Sequence, residues 1–240
     1  MKFRLRKNGM WRKFVDLCFP PACVMCGEKL PKGARFVCDS CCHDLPRTNL
    51  HLQPKNRLVE LFSGLLPIER ATGFIYYSRG SESRSIMLNL KYYHTPEIGV
   101  YMGRLMASEI SDGSNFFDGI DAIVPIPLAR RRMRQRGYNQ VEALARGVSS
   151  VTGIPVLRDV VVRTIDNPSQ TTVVTAERVE NVKGIFSVSR PEQLQGKHIL
   201  LMDDVVTTGS TLKACGEVIA TVDGVKISVL TLAMAPSIQS

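Results

Sequence analysis

The sequence predicts an α/β protein, with a mostly parallel sheet covered by helices on both faces and a small cysteine-rich module in front of it. Three observations carry this. Short apolar runs alternate with helical patterns after residue 70, as a parallel sheet with helical crossovers requires. One run, Ile199 to Met202, ends in two adjacent carboxylates, Asp203 and Asp204, followed by a Thr/Gly/Ser loop and a helix start. Six of the seven cysteines lie within residues 18 to 42, which sets that region apart. The expected domains are an N-terminal helix and metal module over 1–48, a linker over 49–70 and the main domain over 71–240.

With 240 residues, 44% apolar and 22% charged, the chain has an ordinary globular composition. No apolar run approaches the ~20 residues that span a bilayer. Asp16, Pro20 and Pro21 interrupt the basic N-terminus where a signal peptide needs an apolar core. The expectation is a cytoplasmic protein without stable membrane insertion. The formal charge is +9, falling to +7 if four cysteines are thiolates on Zn²⁺, and favours a polyanionic partner.

Taken in order, Trp11, Phe14 and Val15 share one helical face with Cys18, and Pro20-Pro21 ends that helix. Cys23-x-x-Cys26 and Cys38-x-x-Cys41 follow, eleven residues apart. Each pair presents two sulfurs to one metal, and two pairs complete a tetrahedral site. With four thiolates the site is closed, so its Zn²⁺ is expected to be structural and to supply folding energy that a module this small lacks. Cys42 is an alternative to Cys41, and Cys18 competes from the N-terminal side. A disulfide framework is disfavoured because nothing indicates secretion.

Residues 49–70, with Pro54 and Pro67, read as a linker carrying one short helix at Val59 to Leu66. Gly73 to Ser78 is strand-like, and Ser81 is a candidate N-cap for a helix with Ile86, Met87, Leu90 and Lys91. Pro96 opens a helix whose Ile98, Met102, Leu105, Met106 and Ile110 form a core stripe. Asp121 to Pro127 is a buried strand. After it come five arginines in seven residues, Arg130, Arg131, Arg132, Arg134 and Arg136, then Gly137, Tyr138, Asn139 and Gln140. Arginine binds phosphate bidentately, and ligands gather beyond strand carboxyl ends in open α/β sheets, so this run is a candidate anion site. A helix continues over Val141 to Val151. Val160 to Thr164 is a third strand, 165–183 is a polar excursion, and Ile185 to Val188 is a short strand.

The stretch from Ile199 to Thr211 carries the most chemistry. Gly209 lets the backbone approach an anion, and the helix start offers N–H groups and the positive end of its dipole. Thr207, Thr208, Ser210 and Thr211 add hydroxyl donors. Asp203 and Asp204 suit ribose hydroxyls or a hydrated Mg²⁺. Leu212, Cys215, Val218 and Ile219 give the helix an inward face, and Val225 to Ala235 supplies the last strand.

These thirteen contiguous positions resemble the PRPP-binding signature of type I phosphoribosyltransferases: an apolar run, two acids, two apolar residues, then Thr-Thr-Gly-x-Thr. Nearly the whole chain resembles the ComF family of competence proteins, a zinc-ribbon-like module joined to a phosphoribosyltransferase-fold domain. The Cys₄ array, the segment Val124 to Gln140, the positions Arg163-Thr164, Gln170-Thr171 and Glu177 to Val182, and Asp203 to Thr211 carry that resemblance in the family's order. It implies PRPP or a related sugar phosphate bound with Mg²⁺, Asp203 and Asp204 as the catalytic pair, and residues 207–211 with Arg130 and Arg131 on phosphate. The excursion around Arg163 to Asn181 resembles the family's flexible loop. Pro127 to Arg130 falls where pyrophosphate is held, but is bulkier than usual there. The resemblance further implies a part in natural transformation, beside DNA-uptake machinery proteins. Arg132, Arg134, Arg136 and Tyr138 would then meet single-stranded DNA, with Tyr138 stacking a base. The alternative is a catalytically active phosphoribosyltransferase that moves ribose 5-phosphate from PRPP to an acceptor and releases pyrophosphate.

Overall fold

The computed structural model describes residues 21–31, 33–78, 80–81, 83–92, 95–164 and 184–238. The expected helix over 11–17, Cys18 and the excursion over 165–183 lie outside the described residues. The chain divides into two compact units, Met1–Leu45 and Pro46–Ser240.

The larger unit contains strands β1 (Ile68–Tyr76), β2 (Ala122–Pro125), β3 (Val161–Arg163), β4 (Phe186–Val188), β5 (His198–Val206) and β6 (Lys226–Met234). Four of them form one all-parallel sheet in the order β1-β6-β5-β2. β5 and β6 are central and buried along almost their whole length, which is why both read as continuous apolar runs. The expected third strand does not join this sheet. β3 pairs antiparallel with β4 in a separate two-stranded ribbon, and only its first residue, Val161, is buried.

Helix α1 (Asp39–His43) belongs to the small unit, and α2 (Arg57–Phe62), α3 (Arg84–Tyr92), α4 (Pro96–Gly113), α5 (Arg130–Arg136), α6 (Gln140–Thr152) and α7 (Ser210–Ile219) to the larger one. Leu58 and Phe62 of α2 and Leu212, Cys215 and Ile219 of α7 share a core with Ile199, Leu201, Ile227 and Val229. The sheet also meets α4 and α6, whose Ile98, Met102, Met106, Leu144 and Val148 are fully buried. α4 and α6 approach closely because Gly103 faces Gly147. A Cβ on Gly103 would stand 2.1 Å from the Leu144 carbonyl oxygen, and one on Gly147 would stand 2.3 Å from that of Val100.

Residues 49–70 are more ordered than a linker. Asn56 caps α2, accepting from the N–H groups of Leu58 and Val59, and its amide donates to the carbonyls of Leu50, Gln53 and Ala71. That cap starts the helix two residues ahead of Val59, and extended backbone at Ser63 ends it. Ser81 does not cap α3. Its hydroxyl bonds to the carbonyl of Ser78, and the helix begins at Arg84.

Candidate functional site

In the small unit, one sulfur from each of Cys23, Cys26, Cys38 and Cys41 lies within 4.8 Å of the others. The turn Cys23 to Gly27 closes through the Gly27 N–H on the Cys23 carbonyl, with Gly27 at φ 78°. The N–H of Cys38 points at the Cys23 sulfur at 3.4 Å. Burial raises the Cys23 thiol, but backbone N–H groups at Cys26, Cys38 and Met25 outweigh it and bring the pKa down to about 6. Burial and the neighbouring sulfurs push Cys41 up. Four cysteine sulfurs gathered this closely are a donor set that fits a tetrahedral thiophilic ion such as zinc. Cys42 stands next to this group and is not part of it.

In the larger unit the candidate residues meet at the carboxyl end of β5. Asp203 and Asp204 are 9% and 6% exposed, so neither is a solvated surface acid. Strand alternation sends them to opposite faces of the sheet. Asp203 follows Ile199 and Leu201 toward α7, where its charge acts on the Cys215 thiol. Asp204 faces the start of α6, and its Oδ2 accepts from Gln140 Nε2 at 2.9 Å and pairs with Lys91 Nζ at 3.1 Å. Burial first, and the charge of Asp204 second, raise the Asp203 pKa to about 8, against the opposing pull of the Asp204 backbone N–H, then Lys91 and Arg163. Lys91 already stands as the counter-charge to Asp204. This donor set fits a hydrated Mg²⁺ carried in on a ligand's phosphate oxygens, and gives a bare ion little hold.

Beyond Val206 the chain turns through Thr207 and Thr208, both exposed, into Gly209 at φ 74°, the N-cap of α7. A Cβ at Gly209 would also stand 2.9 Å from Leu61 Cδ2 and 3.1 Å from Phe62 Cε1, so α2 is packed directly on the loop. The hydroxyls of Thr208 and Ser210 are 2.7 Å apart, and Ser210 and Thr211 open the ten-residue helix, exposed. Backbone donors and hydroxyls at a helix start can hold a phosphate.

β2 is the neighbour of β5, with Pro125 opposite Met202, so the chain leaving β2 emerges beside the two carboxylates. It becomes α5, capped at its end by Gly137 in the left-handed region. Arg130, Arg131, Arg132 and Arg134 are exposed on it. Arg136 is not on that surface: it is 9% exposed, with its guanidinium over the Tyr92 ring at 5.7 Å. Tyr138 is half-buried, its hydroxyl donates to the Leu90 carbonyl, and burial raises its pKa. Asn139 caps α6 through the Val141 N–H and donates to the Ile126 carbonyl, fixing the exit from β2.

Two residues at this centre, Lys91 and Gln140, carried no site role in the sequence. The signal for Lys91 was a charge one turn after Met87, on the buried side of α3, where a cation needs a partner. Gln140 was visible only as the end of the arginine segment.

The model of the phosphoribosyl transferase domain family matches residues 91–239. Competence protein F of Haemophilus influenzae is 34% identical over 116 residues, covering 48% of this chain and 51% of that protein, so the match spans about half the length of that relative. The DNA utilization protein YhgH of Escherichia coli is 29% identical over 208 residues, covering 82% of this chain and 89% of that protein. Competence protein ComFC of Bacillus subtilis is 33% identical over 90 residues, covering 38% and 34%.

Proposed function

We propose, for a chain that belongs to the phosphoribosyl transferase domain family, a role in DNA uptake and use of the kind its relatives' names describe. In this reading the larger unit binds PRPP with Mg²⁺, and the exposed arginines of α5 contact single-stranded DNA or a partner of the uptake machinery. The observation that carries it is the end of β5: two buried carboxylates, a glycine-hinged hydroxyl loop on a helix start, and an arginine helix leaving the adjacent strand. Asp203 and Asp204 hold ribose hydroxyls, residues 207–211 cradle the 5-phosphate, and Arg130 and Arg131 attract the pyrophosphate. Mg²⁺ supplies charge neutralisation on the pyrophosphate when it arrives with PRPP. Among the described residues no helix is long and apolar enough to cross a membrane.

Two measurements test the two halves. Asp203→Asn with Asp204→Asn is expected to remove PRPP binding in calorimetry, and retained binding rejects the pocket. Arg131→Ala with Arg134→Ala is expected to weaken single-stranded DNA binding. The slope of log K against log salt should flatten by about 1.4, from ~0.7 per lost phosphate contact. An unchanged slope rejects α5 as the nucleic-acid surface.

A further inference from the structure

Lys91 sits where a helix otherwise devoted to packing reaches the site. Ile86, Met87 and Leu90 of α3 are buried in the larger unit, and the next residue turns an ammonium onto Asp204. The two chain neighbours of Lys91 and its partner Asp204 are each held from the segment that follows β2. The Tyr138 hydroxyl holds the Leu90 carbonyl, the Arg136 guanidinium lies over the Tyr92 ring, and Gln140 shares Asp204 Oδ2 with Lys91 itself. Such fixing is more than an ion pair needs. A half-buried pair also contributes little stability once its desolvation is counted, so stability is a poor reason for it.

We infer that Lys91 is a ligand-binding residue of this pocket, whose ammonium rests on Asp204 in the free protein and grips an anionic oxygen of the sugar phosphate when one enters. The inference rests on the PRPP reading above. An ammonium has three donors, and Asp204 occupies one of them. Its side chain is 23% exposed against 8% for Asp204, so solvent reaches the lysine more than the carboxylate. It stands at the carboxyl end of a parallel strand, where ligands of such sheets collect. When Lys91 turns to the ligand, Gln140 Nε2 stays on Asp204 Oδ2, and the carboxylate is not stranded. Lysine serves here as a point charge beside the bidentate arginines of α5.

The test is calorimetric titration of PRPP with Mg²⁺ into the full chain, its Lys91→Gln and Lys91→Arg variants, and the same changes made on Asp204→Asn. Wild-type binding is expected to weaken about tenfold in Lys91→Gln and to recover to within about threefold in Lys91→Arg, as for a charge contact. Lys91→Gln is expected to weaken binding further on the Asp204→Asn background too, since the contact is with the ligand. If Lys91→Gln lowers the melting temperature and leaves affinity unchanged, the pair is structural and the inference falls. It falls equally if Asp204→Asn alone keeps measurable affinity and Lys91→Gln leaves that affinity unchanged, because Lys91 then only screens the carboxylate. A wild-type chain that binds no PRPP overturns the pocket reading itself, and is told apart by that first titration.

Discussion

Gly103→Ala is expected to lower the stability of the larger unit by about 3 kcal/mol, a fall of roughly 6–12 °C in melting temperature for a unit of this size. The new methyl would stand 2.1 Å from the Leu144 carbonyl oxygen and 3.0 Å from the Gly147 Cα. These are backbone atoms of a packed helix, so no side chain can swing aside, and α4 and α6 must part along their length. Gly147→Ala meets the same obstacle from the other side, at the Val100 carbonyl oxygen and the Gly103 Cα. Gly113, the last residue of α4, is the control. A Cβ there would find Leu52 Cδ2 at 3.4 Å, an ordinary contact with a flexible group. Gly113→Ala should be neutral or stabilising by up to about 1 kcal/mol from helix propensity. Thermal melts of the three variants decide it, and equal losses at 103 and 113 would mean that the close crossing does not exist.

The second large effect is expected on metal removal. A zinc ion held by the four sulfurs would be stripped by chelation or by Cys23→Ser, and its loss should unfold residues 21–45 while the sheet of the larger unit keeps its amide protection. Among the described residues of the small unit, few apolar side chains are buried, Leu30, Val37 and Leu45 among them, and the four sulfurs gather its turns. Zinc in such closed sites supplies about 10–16 kcal/mol of apparent binding energy. Cys42→Ser should keep the metal at one equivalent. Hydrogen exchange with metal analysis on the same samples makes the comparison. A zinc-free Cys23→Ser protein with undiminished protection over 21–45 would show that the module folds without the ion. Acid should release the metal too, because the thiolates that bind it regain protons as the pH falls.

The sequence made the strand ends and the cysteine pairs readable because both depend on spacing along the chain. Carboxylates directly after an apolar run fall close to a strand end, here two residues short of it, and x-x spacing puts two sulfurs on one turn. The parallel sheet followed from alternation, and the family match over 91–239 agrees with that fold. Contacts between distant segments were not readable. Nothing local marks Lys91 as the partner of Asp204, 113 positions away, or α2 as the floor under Gly209. The prolines of 49–70 disguised a stretch whose Leu58 and Phe62 are core. Arg136 looked like one more exposed arginine, yet it lies on the inward side of α5 against Tyr92. The separation of Asp203 from Asp204 was implicit in strand alternation once the strand was known to continue to Val206.

That separation has a mechanical meaning. One carboxylate belongs to the layer of α7, the other to the layer of α3 and α6, and the sheet stands between them. A single small molecule held by both acids would act as a rivet through the top of the sheet. Pulling α7 away from α6 would then require tearing the ligand out, so occupancy should be readable as resistance to force as well as in heat of binding.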